Sequence, residues 1–196
     1  MVEKEFHLIC DEISEDIIRT AEELVKDEGA KELNVRKILN AMGITNRVFY
    51  NRFRNVNEIL EILYTRSVKQ MHESVNSPFD IRTEFWQYVM DVATRVLINT
   101  YEVKMQFSQF MFELDSVKEA NRDWWTGKIQ EIIQVGKEVG MIKDVDAGLL
   151  SQTIWSFFRG YNADAVSRKL SKEDAVKQFR FGMECLMEGI QAEKSV

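Results

Sequence analysis

"NVRKILNAMGITNRVFYNRFRNVNEIL", Asn34 to Leu60, is the stretch whose reading decides the fold. Val35, Ile38, Leu39 and Met42 recur at helical spacing, and Asn34 stands where an N-cap belongs. Gly43 follows at the position where a helix commonly ends in a left-handed backbone. Thr45 can cap a further short helix running to about Phe53, and Asn55 or Asn57 can cap the next. Two short helices joined by "MGIT" form the helix-turn-helix pattern, in which the second helix enters the major groove of DNA.

The charge of this stretch differs from that of the chain. The 196 residues carry a formal net charge of −6. From Lys31 to Val56, however, Lys31, Arg36, Lys37, Arg47, Arg52 and Arg54 stand against the single acid Glu32. A total can hide such a patch, and cations near a duplex neutralise phosphates and release counterions. Phe49 and Phe53, four residues apart, can anchor the second short helix inward. Thr45, Asn46, Arg47 and Tyr50 then face outward. Arg47 suits guanine O6 and N7, Asn46 suits adenine, and Val48 can touch a thymine methyl. Tyr50 and Arg52 suit phosphates, and Arg36 and Lys37 can hold the backbone or a groove edge.

Outward from this stretch the period stays helical, so the expected fold is all-α. Ile17, Ala21, Leu24, Val25 and Glu28 mark a first helix ended by Gly29. Phe6, Cys10 and Ile13 share its face, so an early start is expected. Ile59, Leu60, Ile62, Leu63 and Val68 lie on a fourth helix, and "NSPFD" with Pro78 reads as a linker. Beyond it come a helix from Phe85, a Phe- and Met-rich segment from Met105 to Leu114, and a helix from Asn121 to Val139. Asp146 can cap the next, with Leu149, Leu150, Thr153, Ile154, Phe157 and Tyr161 on its stripe. "SKED" from Ser171 has the form of a capping box for the last helix. Trp86, Phe107, Phe110, Met111, Trp124, Trp125 and Trp155 are candidates for lining a small-molecule pocket, or for plain core.

Other classes find no support in the sequence. No apolar run approaches the ~18 residues of a membrane span, and the acidic N-terminus does not read as a signal peptide. Cytoplasmic location is the expectation, with Cys10 and Cys185 reduced and partly buried. His7, His72 and the two cysteines have no metal-ligand spacing, so no metal is expected. No catalytic motif, phosphate-binding glycine loop or cofactor motif appears, and no enzyme activity or cofactor is expected.

The segment from Ile17 to Leu60 resembles, without a gap, the N-terminal domain of the TetR family of bacterial transcriptional regulators. The features that carry the resemblance are the apolar-Ala-Leu face of the first helix, the stop at Gly29, "VRKI", the Gly43 turn and "VFYNRF". It implies a helix-turn-helix DNA-binding domain over 1–56 and an all-helical ligand-binding and dimerisation domain over 57–196, joined by a helix at about 57–74. It further implies a homodimer on a palindromic operator, paired through the last two helices. The expected function is a sequence-specific repressor released by a small molecule. The alternative is a helical ligand-binding or interaction protein that keeps the head without a specific operator. The chain departs from the family at Val56, where a phosphate-gripping lysine is common, and at Arg47, where a small residue is common. Its N-terminal arm is also acidic rather than basic.

Overall fold

The structure is a computed structural model that describes residues 8–73, 75, 77–102, 110, 111, 113, 114 and 119–192. Among them the chain is all-α. Its helices are α1 (Glu12–Glu28), α2 (Val35–Met42), α3 (Asn46–Tyr50), α4 (Val56–Glu73), α5 (Phe85–Glu102), α6 (Glu119–Glu138), α7 (Ala147–Ser167) and α8 (Lys172–Ile190). No described helix is long and apolar enough to cross a membrane.

Local chemistry sets the helix ends. Asp11 caps α1 by accepting from the Ser14 N–H, while the Ser14 hydroxyl accepts from the Asp11 N–H. The extended backbone at Asp11 stops the helix there, so the expected early start does not occur, and Cys10 and Ile13 are exposed. Asn34 caps α2 through the Lys37 N–H, and Asn55 accepts from the Glu58 N–H at the start of α4. Gly43 ends α2 with φ 66, a left-handed value that costs a residue with a Cβ about 1–2 kcal/mol. Asp146 and Ser171 cap α7 and α8 as their positions imply. Helix α3 is shorter than expected. After Tyr50 the chain turns, and the Arg52 and Phe53 N–H groups both donate to the Phe49 carbonyl. That turn drives Phe53 back into the core.

The first core gathers Ile17, Ala21 and Val25 of α1, Ile38 of α2, Phe49 of α3, and Phe53. It continues into α4 through Ile59, Leu63 and Tyr64, and Phe110 and Met111 complete it. On the surface Arg66 of α4 holds Glu15 of α1 with two bonds of 2.8 Å each, which keeps the Glu15 carboxyl below its ordinary value.

The remaining helices form a second group, in which α6 packs along α7 and α5 along α8. Phe85, Ile133 and Ile142 make one of its cores. Val75, Val92, Val96 and Trp125 make another, and Leu97, Phe179 and Met183 a third. Backbone bonds from Lys143 to Ile190 and from Ala192 to Met141, each 3.0 Å, tie the end of α8 to the α6–α7 connection. Phe179 is fully buried, with Phe157, Phe158 and Tyr161 against it, so these aromatics belong to the subunit core. Leu149 and Thr153 leave the stripe expected of them. Leu149 is 70% exposed, because it lies one position from Leu150, about 100° round the helix. Cys185 is exposed, like Cys10, where partial burial was expected.

Gly136 on α6 is a point of close approach. A Cβ there would lie 2.5 Å from the Phe85 ring and 2.7 Å from the Ile142 side chain. Gly127, about two and a half turns earlier on the same helix, meets nothing within 4 Å. Gly136→Ala should lower stability by about 1–3 kcal/mol through overpacking, less up to about 1 kcal/mol of helix propensity. Gly127→Ala should gain that propensity without the clash. Thermal unfolding is expected to move in opposite directions for the two variants.

Candidate functional site

Phe49 is wholly buried and Phe53 nearly so, and between them they fix the orientation of α3. Thr45, Asn46, Arg47 and Tyr50 are exposed, and Val48 is half-buried. Thr45 caps α3 by position but its side chain makes no capping bond. Tyr50 packs edge-on against Phe49, with ring centroids 5.3 Å apart, and is still 49% exposed. Its ring is therefore positioned while its outer edge stays in solvent. Arg36 lies exposed on α2.

The six cations of this region divide into two groups. Lys31 bonds Glu113 at 2.9 Å, and Lys37 bonds Glu28 at 2.6 Å with Glu32 3.6 Å away. The Glu28 hydrogen bond, aided by both carboxylates, raises the Lys37 pKa above its usual value. Arg52 is more firmly held. Its Nε and Nη2 donate to the two Asp11 carboxylate oxygens at 2.8 and 2.5 Å, and its Nη1 donates to the Val48 carbonyl at 3.0 Å. Only 9% of the side chain is exposed. The phosphate contact expected of Arg52 does not fit this geometry, because all three of its nitrogens are already engaged. Arg36, Arg47 and Arg54, by contrast, are exposed and make no ion pair among the described residues.

Asp11 thus has two tasks, capping α1 and holding the turn after α3. The backbone bond from Ile9 N–H to the Asn51 carbonyl, 2.9 Å, runs alongside. Acidic residues near the N-terminus are legible in the sequence. Which of them reaches Arg52, 41 positions away, is not.

The second feature is a cavity of about 140 Å³ between α5, α6 and α7, closed by parts of α4 and α8. Of the aromatics singled out from the sequence, Trp86, Trp125 and Trp155 line it, as does Met111. Phe110 does not; it is buried in the first core. Trp124 does not either. It stacks on His72 at 3.6 Å on the outer side of α6, while Trp125 meets the same imidazole edge-on at 5.7 Å. Phe107 lies outside the described residues. The lining also includes Thr100, Asn121 and Asn162, which the sequence did not bring forward. Nothing in "FFRGYNADA" distinguishes Asn162 from a solvated residue, since only packing turns it inward. Among the described residues no cluster of His, Cys, Asp or Glu can hold a metal ion.

Solved structures place this architecture. A TetR-family transcriptional regulator from Pectobacterium atrosepticum is similar over 98% of this chain and 99% of its own, with a TM-score of 0.71 at 12% identity. A regulator of the TetR/AcrR family from Thermobifida fusca covers 91% of this chain and 98% of its own, with a TM-score of 0.69 at 17% identity. A ketosteroid transcriptional regulator of Mycobacterium tuberculosis reaches a TM-score of 0.57 at 16% identity, covering 94% of this chain and 98% of its own. No protein-family model matches the sequence, and no curated protein matches it. At these identities the likeness is one of fold, and the fold is that of the TetR-family transcriptional regulators.

The ion pair at Asp11 has a definite pH signature. Hydrogen bonds from Arg52 hold the Asp11 carboxyl far below the usual carboxylate range. A carboxyl depressed in the folded state contributes stability above its unfolded pKa, about 3.9, and loses that contribution as pH falls through the folded value. Asp11→Asn should therefore unfold at a lower temperature than the parent at pH 7. The gap should narrow progressively below about pH 4 in parallel thermal melts.

Proposed function

We propose that this chain is a TetR-family transcriptional regulator that acts as a homodimer on a palindromic operator in the cytoplasm and is released by a small molecule. The observation that carries this reading is the face of α2 and α3. A sealed core of Phe49, Phe53 and Ile38 lies behind it, and exposed Arg36, Asn46, Arg47 and Tyr50 lie in front. Asn46 and Arg47 stand in the first turn of α3, where base-edge contacts of a recognition helix fall. Thr45, Val48 and Tyr50 complete the face, and Lys37 reaches phosphates only by exchanging its bonds to Glu28 and Glu32. Arg54, exposed and without an ion pair among the described residues, is a phosphate contact to add.

Dimerisation through α7 and α8 is supported by their outer face. Leu149 and Phe181, each 70% exposed, are large apolar side chains left to solvent there. The cavity in the second helical group supports the effector reading, because its apolar wall suits a small ligand. A ligand that binds the two head separations unequally shifts the equilibrium between them and so changes operator affinity.

A second reading also has observations in its favour. Asp11 occupies Arg52, and Val56 supplies no cation at the start of α4. A head so depleted fits a ligand-binding protein without a specific operator. Selection from a random duplex pool at about 150 mM salt separates the two readings. The regulator should enrich a palindrome with half-sites about 34–36 Å apart, or a multiple of that spacing. Arg47→Ala should then relax preference at one base pair per half-site by about 1–3 kcal/mol, and Arg36→Ala should weaken all sequences alike. A folded dimer that enriches no sequence would establish the second reading.

A further inference from the structure

The cavity's volume, its wall and its charges together narrow what fits. About 140 Å³ is close to the volume of an engineered cavity, about 150 Å³, that holds one benzene molecule. The enclosed space therefore takes a single six-membered ring and excludes a fused ring system or a long chain. Trp125, Trp155 and Phe158 on α6 and α7 and Met71 on α4 are among its wall. Such aromatic rings and a methionine sulfur favour an aromatic ring over a saturated one of the same size.

The charged residues of the wall are Lys128 and Arg159, and among the described residues no acid lines it. A positive wall favours an anion and opposes an ammonium group. Arg159 is already engaged, so Lys128 is the cation that can exchange its partner. Lys128 bonds Glu131 at 2.9 Å, and the Glu131 side chain is 68% exposed. An ion pair so open to solvent is weak, and a ligand carboxylate can take the place of Glu131 at little cost. Lys128 is itself only partly buried, so a carboxylate beside it sits where the cavity meets solvent and keeps part of its hydration.

The second anchor lies further along α7. Asn162 is only 6% exposed, and its buried Oδ1 has no partner. An unmatched buried acceptor costs free energy, and a ligand hydroxyl that donates to it recovers that cost. Thr100 and Asn121 are already bonded, Thr100 to the Val96 carbonyl and Asn121 to His72. Bonds from Gln130 to Ser151 and from Lys137 to Asp144 show α6 and α7 antiparallel, with Lys128 level with Thr153. Asn162 stands about nine residues further on, roughly 13–14 Å at 1.5 Å per residue. Side chains of a helix tilt toward its N-terminus, so Lys128 and Asn162 lean toward one another. A ring carrying its two groups at opposite positions suits the gap that remains.

Building on the effector reading of this cavity, we infer that it takes a single-ring aromatic acid with a hydroxyl opposite the carboxylate. The carboxylate pairs with Lys128 at the mouth, the ring fills the enclosed space, and the hydroxyl donates to Asn162 Oδ1.

The test is isothermal titration calorimetry of the whole protein with 4-hydroxybenzoate, benzoate, methyl 4-hydroxybenzoate and 6-hydroxy-2-naphthoate. The first should bind tightest. Benzoate lacks the hydroxyl and the methyl ester lacks the charge, and each should bind about tenfold more weakly. The fused-ring acid should bind weakest. Asn162→Leu should erase the preference for 4-hydroxybenzoate over benzoate, and Lys128→Gln the preference for the acid over its methyl ester. Circular dichroism confirms that each variant is folded, and Lys128→Gln, at a partly exposed position, keeps the test alive should Asn162→Leu not fold. An ester that binds as tightly as the acid would overturn the inference. So would an acid preference that survives Lys128→Gln, a fused-ring acid that binds as tightly as the single ring, or no binding by any probe. Affinity for the duplex recovered by selection is measured alongside. Binding in the expected order with unchanged duplex affinity would keep the ligand class and remove the effector role. Duplex release by other compounds, with none of these binding, would do the reverse.

Discussion

Burial of Phe49 and Phe53 against α1, α2 and α4 is the constraint on which the presentation of α3 depends. Helix α3 is five residues long, too short to hold its conformation alone. Its form comes from the two phenyl rings, whose centroids lie 5.9 Å apart in the core. With Phe49 inward, Arg47 lies about 160° round the helix and faces outward, while Asn46 and Tyr50, at the two ends of the helix, stay exposed. The same seam links the exposed residues of α3 to α4, because Ile59 and Leu63 close the core from below. Any displacement of α4 must therefore be felt at α3.

Around that seam the electrostatics make a brace rather than a uniformly basic face. Glu15 with Arg66 joins α1 to α4, and Asp11 with Arg52 joins the start of α1 to the turn after α3. Two acids of the N-terminal stretch are thereby matched by arginines, Asp11 by Arg52 of the basic stretch and Glu15 by Arg66 of α4. Of the basic stretch, Arg36, Arg47 and Arg54 are the arginines that make no ion pair among the described residues. An acidic chain with a small cationic face resists nonspecific association while keeping one surface for a polyanion.

The second helical group follows a different logic. Its helices are apolar on more than one side, and their cores are distributed around a cavity rather than concentrated in one centre. Gly136 permits α6 to approach Phe85 and the α6–α7 connection, which closes one end. The other end holds Thr100, Asn121 and Asn162, polar groups within an apolar wall. Unmatched polar atoms in a cavity are a cost to the folded chain that an interior packed only for stability would not carry.

The sequence by itself determined the helices and most of their ends. Asn34, Gly43, Asp146 and Ser171 act through neighbours three or four positions away, so their effect is legible in order. It also placed Phe49 and Phe53 inward, as apolar rings spaced by four, and Arg47 outward, about 160° round the helix from Phe49. Tertiary structure alone decided contacts between distant residues. The charge pattern could not show that Arg52 pairs with Asp11. Adjacent tryptophans could not show that Trp125 faces the cavity while Trp124 stacks on His72. The stripe of α7 could not show that Leu149 is left to solvent while Asn162 is drawn inside. Periodicity gives the faces of a helix, but which neighbour covers each face is set by the packing of the whole chain.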